Sequence, residues 1–148
     1  MTTALFFAVA FLVGALITMQ TGANTRLKEG LGEALPAVII SSSLGVLVLV
    51  GVTLIVRVPW PSRAMVLEVP WWAWLGGVLG AVYAIATVLL ARTLGAATLT
   101  ALIVTGQLVC SVALDHFGLV GFDQHAASLG RIAGCLLMIC GFVLIARF

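Results

Sequence analysis

The sequence predicts an all-α integral membrane protein of five transmembrane helices, and two observations predict it. The 148 residues are 63% hydrophobic and only 8% charged, with a mean hydropathy of +1.28. Soluble domains carry about 25% charged residues. The few charges are also segregated. Residues 1–25, 35–56, 69–91, 93–114 and 132–146 contain no Asp, Glu, Lys, Arg or His. In hydrocarbon a backbone has no water to bond, so each stretch must satisfy its own amides and carbonyls, as a helix does.

Five spans, at about 3–24, 36–56, 70–92, 98–116 and 129–146, use nearly all of the chain, which reads as one transmembrane domain, 1–148. A signal peptide is not expected at the first span, which lacks a basic leading region and an A-x-A site before a soluble segment. The net charge of +2 is small and dispersed, which argues against nucleic-acid binding.

The elements follow in order. Arg26, Lys28 and Glu29 mark the exit of the first span, and Gly30, Gly32 and Pro36 form the turn, with Pro36 in the first turn of the second span. The segment Pro59-Trp60-Pro61-Ser62-Arg63 cannot continue a helix and is a polar connection. Glu68 and Pro70 open the third span, and Trp60, Trp71, Trp72 and Trp74 crowd its start. Indole rings favour the headgroup level, which makes these four an interfacial anchor; the alternative is an aromatic cage for a cation. Arg92 and Gly95 end that span, and Thr98 is the expected N-cap of the next. The fourth span runs into Asp115-His116-Phe117-Gly118, and Ser128 is expected to cap the fifth. The fifth has about 15 uncharged residues, roughly 22 Å of helix. Arg131 and Arg147 are therefore expected to snorkel to the headgroups.

Orientation follows from the basic residues. An odd number of spans puts Arg57, Arg63 and Arg131 on one side of the membrane and Arg26, Lys28, Arg92 and Arg147 on the other. Adding the N-terminal amine to the first group evens the count. With no positive-inside bias, the chain is expected to insert both ways up and to pair with an inverted copy of itself. A fixed orientation set by hydrophobicity or a partner is the alternative.

Polar residues inside a bilayer are costly and usually face the protein or a cavity. Thr100, Gln107, Ser111 and Asp115 follow one another at seven, four and four residues, one stripe of a helix. Gly76, Gly80, Tyr83 and Thr87 make a smaller face on the third span, Gln20 and Asn24 lie four apart on the first with Thr21 beside them, and Ser41, Ser42 and Ser43 lie on the second. Two readings fit: a polar crevice for a small solute, or hydrogen bonds between helices. Serine and threonine can bond back to their own helix, whereas a primary amide such as Gln20 or Gln107 has more donors and acceptors than one helix can satisfy.

Asp115 beside His116 suggests a proton relay, but both stand at a span end, where a headgroup-level exit signal serves equally well. Cys110, Cys135 and Cys140 read as buried packing residues. Gly134, Met138 and Gly141 leave the fifth span smooth on one side and are the expected dimer contact, and Gly76 and Gly80 form a G-x-x-x-G on the third. There is no Ser-His-Asp set, H-E-x-x-H, phosphate loop or pair of buried carboxylates, so neither an enzyme nor a metal or cofactor is expected.

The segments Pro70-Trp71-Trp72-Ala73-Trp74-Leu75-Gly76-Gly77, Gly95-Ala96-Ala97-Thr98, Gly106-Gln107-Leu108, Asp115-His116-Phe117-Gly118 and Gln20-Thr21-Gly22-Ala23-Asn24-Thr25-Arg26-Leu27 resemble the YdcZ-like family of the drug/metabolite transporter superfamily. The resemblance covers essentially the whole chain. It implies a five-helix bacterial inner-membrane protein that is one repeat of a ten-helix unit, matching the charge count. Small multidrug resistance relatives carry a central glutamate on their first helix; here that helix offers Gln20 and Asn24 but no acid. The expected activity is transport of a small molecule by alternating access across an antiparallel homodimer in the lipid bilayer. Gln20, Asn24, Tyr83, Thr87, Gln107 and Ser111 are the expected crevice lining, and Asp115 is the candidate for coupling. A passive channel and a non-transporting scaffold subunit are the alternatives.

Overall fold

The computed structural model describes residues 2–148, with Thr2 described in its backbone only. The N-terminal amine counted in the charge balance belongs to Met1 and lies outside the described residues. Among the described residues there are six α-helices, a 3-10 turn and no strand. They are α1 (Thr2–Leu31), α2 (Ala34–Val56), α3 (Arg63–Glu68), the 3-10 turn Trp71–Trp74, α4 (Leu75–Leu94), α5 (Ala96–Phe117) and α6 (Leu129–Arg147). Five are long and apolar enough to cross a membrane: α1, α2, α4 with its 3-10 turn, α5 and α6.

The boundaries differ from the expected ones where local backbone chemistry decides. Helix α1 does not stop near Asn24 but runs 30 residues to Leu31, about 45 Å. Arg26 and Glu29 face each other one turn apart at 2.9 Å, so the charged tail is stable as helix. Gly32, at φ +82, ends it, its N–H donating to the Lys28 carbonyl at 2.8 Å. Pro36 does fall in the first turn of α2. After Arg57 the chain is not all connection: Ser62 caps α3, its Oγ accepting the Met65 N–H at 3.4 Å. Thr98 is not an N-cap. Helix α5 starts two residues earlier because Gly95 adopts φ +77, open to glycine, and its carbonyl accepts the Leu99 N–H at 3.1 Å. Ser128 does cap α6, its Oγ accepting the Arg131 N–H at 3.3 Å.

The chain divides into two compact units, one ending at Arg92 and the other running from Thr93 to Phe148. In the first, α1 packs on α2, and α2 packs on α4 through Ala34 and Val38 against Ala84, Ile85 and Val88. In the second, α5 and α6 form a hairpin. Among the described residues the buried apolar ones are few: Ala34, Ala37, Val38, Val88 and Leu99. Phe11 is 79% exposed and Ile55 83%. Such surfaces are stable only where the solvent is itself apolar.

Candidate functional site

In the first unit, Gln20 is exposed on α1 and Asn24, one turn on, is half-buried. Their neighbours Thr18, Thr21 and Thr25 turn their hydroxyls back to the carbonyls of Gly14, Ile17 and Thr21 at 3.2, 3.0 and 2.8 Å. Tyr83 is exposed on α4, and Thr87, 4% exposed, donates to the Ala84 carbonyl at 2.9 Å. A groove of about 570 Å³ runs between α2 and α4, walled by Val38, Ile39, Val46, Ala81 and Ile85, with Ser42 and Ser43 its polar residues. It brings Ser42 and Ser43 together but takes in none of Gln20, Asn24, Tyr83 or Thr87.

In the second unit, Gln107 and Ser111 are exposed on α5, one turn apart, and Asp115 is half-buried one turn further. Ser111 and Asp115 share a notch of about 320 Å³ with Leu108, Val112, Arg131 and Gly134. Asp115 Oδ2 accepts a hydrogen bond from Arg131 Nη1 at 3.1 Å. Arg131 is thus a partner of Asp115. The sequence held a signal for it: opposite charges on the two arms of one connection.

That connection is folded against the end of α5. Gly118 closes the helix at φ +61, and the His125 N–H donates to the Asp115 carbonyl at 2.7 Å. Gln124 Nε2 donates to the His116 carbonyl and the Ala127 N–H donates to His116 Nδ1, each at 3.1 Å. Accepting that N–H leaves Nδ1 without a proton, so His116 carries its own on Nε2. The Asp115–His116 dipeptide is therefore wired into the loop, with no hydrogen bond between its two side chains.

One contrast runs through both units. The hydroxyls of Thr18, Thr21, Thr25, Thr53, Thr87 and Thr105 are each spent on their own helix. Among the described residues, no hydrogen bond involves the side chains of Gln20, Asn24, Ser42, Ser43, Tyr83, Gln107 or Ser111. On α6, Gly134, Met138 and Gly141 are half-buried, on a stripe shared with Cys135 and Phe142, while Leu137 and Leu144 form the exposed side. A Cβ added at Gly134 or Gly141 would meet nothing within 4 Å.

Apolar helices with exposed apolar side chains, carrying unspent polar groups at intervals, define a multi-pass membrane protein. The matching family model is described as "Putative inner membrane exporter, YdcZ" and covers residues 5–144. The chain belongs to that family. It is similar to the inner membrane protein YdcZ of Escherichia coli (strain K12), 31% identical over 147 residues that cover 94% of each chain. No solved structure matches it. The protein is a multi-pass inner membrane protein.

Proposed function

We propose that the protein exports a small polar or drug-like molecule by alternating access, as an antiparallel homodimer in which each copy supplies one five-helix repeat. The observation that carries this reading is the set of unspent amides. Gln20, Asn24 and Gln107 stand on helices with no hydrogen-bond partner among the described residues, and a primary amide facing hydrocarbon costs roughly 2–7 kcal/mol. A water-filled crevice, a bound solute or a second copy removes that cost. The family's description as an exporter supports the first two.

In this reading Gln20, Asn24, Tyr83, Gln107 and Ser111 line the crevice. Thr87, whose hydroxyl is already bonded, backs the wall. Asp115 could couple transport only by exchanging Arg131 for a proton, so it is the outlying member of the set. The copies meet along α6, where Gly134 and Gly141 border the exposed Leu137 and Leu144, with Met138 just inside.

The test compares the medium of cells expressing the wild-type chain with that of cells expressing Gln107→Leu, by untargeted metabolite profiling. At least one solute should accumulate outside with the wild type and fall about tenfold in the variant, at equal protein in the membrane. Identical profiles from wild-type cells and cells lacking the protein would remove the exporter reading.

A further inference from the structure

The notch between α5 and α6 has two electrical poles. Arg131 stands in the first turn of α6, at the positive end of that helix dipole, and Asp115 stands in the last turn of α5, at the negative end of the other. Their 3.1 Å contact uses one guanidinium N–H and one carboxylate oxygen. A guanidinium has five donors and a carboxylate two accepting oxygens. Neither side chain makes a second hydrogen bond among the described residues, so most of this capacity is unspent. The Ser111 hydroxyl adds to it one turn below, and Leu108, Val112 and the bare backbone of Gly134 complete the walls.

The bonds from His125, Ala127 and Gln124 to the end of α5, with the Ser128 cap, fix the loop and hold both poles in place. Both charges lie two residues from the ends of their helices, the depth of headgroups and not of the midplane.

We infer that this notch binds a zwitterionic phospholipid bearing a primary ammonium. The oxyanion lies on Arg131 and the α6 N-terminus, the ammonium on the free oxygen of Asp115, and an acyl chain along Leu108, Val112 and Gly134. Charge balance selects this class. The paired site is neutral, so a neutral zwitterion replaces one ion pair with two, whereas an anionic lipid leaves Asp115 opposed. A quaternary ammonium has no N–H to give the carboxylate. The site does not depend on whether a solute crosses the protein.

The test is native mass spectrometry of the purified full-length chain, titrated with phosphatidylethanolamine, phosphatidylcholine and phosphatidylglycerol of matched acyl chains. Phosphatidylethanolamine should be retained at about tenfold lower concentration than the others, the order of one charge-assisted hydrogen bond. Arg131→Gln and Asp115→Asn should abolish the preference. Gly134→Leu should do the same while touching neither charge, at a position where an added Cβ meets nothing within 4 Å. That variant decides the matter if the charge variants fail to fold, the oligomeric state read in the same spectra separating a filled notch from a disturbed contact between copies. Equal retention of the ethanolamine and choline lipids overturns the inference, as does a preference that survives Gly134→Leu. Displacement of the lipid by an equal concentration of soluble phosphoethanolamine would assign the notch to a soluble zwitterion and overturn the lipid.

Discussion

Threonine and the amides part company at the level of single side chains. A β-branched hydroxyl in a helix lies within reach of the carbonyl one turn back, and Thr18, Thr21, Thr25, Thr53 and Thr105 take that bond four residues away, Thr87 three. Asparagine and glutamine carry more groups than that one contact can occupy. Two predictions follow from this asymmetry. Thr87→Val, which keeps the shape and removes a bonded hydroxyl, should leave export within about twofold of wild type, the hydroxyl having little to offer a solute. Gln107→Leu should leave thermal stability in detergent unchanged or raised, since it removes an amide that has no hydrogen-bond partner among the described residues. A marked fall in stability would mean that Gln107 is a structural hydrogen-bonding residue.

Among the helices, termini matter more than interiors. The five spanning interiors are uniformly apolar, and the chain stops and restarts them with a few residues of special conformation. Ser128→Ala removes the cap of α6 and is expected to cost about 1 kcal/mol, measured as reduced resistance to thermal unfolding in detergent. Gly118→Ala should cost more. Its φ of +61 is unfavourable to any L side chain, and the new Cβ would sit 3.3 Å from the Gln124 Cβ, so the bond from Gln124 to the His116 carbonyl is strained as well. The Asp115–Arg131 pair adds little to stability, its side chains being 29% and 40% exposed. Its position at the notch is the more informative fact.

For the whole protein the charge count decides what can be tested. The seven basic residues split three to four between the two sides in a five-span topology, which gives insertion no strong direction. If the working unit is an antiparallel pair, biasing one orientation should abolish export. The double variant Val58→Lys, Pro61→Lys adds two basic residues to one side, and Gly30→Lys, Glu33→Lys adds two to the other and removes an acid there. Each alone should be inactive, and the two expressed together should recover about the wild-type level. Full export from either variant alone would rule out the inverted pair.

Five apolar stretches separated by charges were enough, from the sequence, to specify an all-helical membrane protein, because no other backbone arrangement satisfies its hydrogen bonds within a segment of hydrocarbon. Pro36 in a first turn and the Ser128 cap were equally legible, being local chemistry read over four residues. The sequence also marked which amides and serines are polar within the spans. It could not say which of them remain unspent, since that depends on the rotamers of neighbouring helical turns. The extra turns of α1, the cap at Gly95 and the short α3 each hinge on one backbone torsion or one weak bond, below the resolution of composition. The bond from Arg131 to Asp115 lay furthest from view. It spans sixteen residues, and only the folded loop between α5 and α6 brings those two charges to one place.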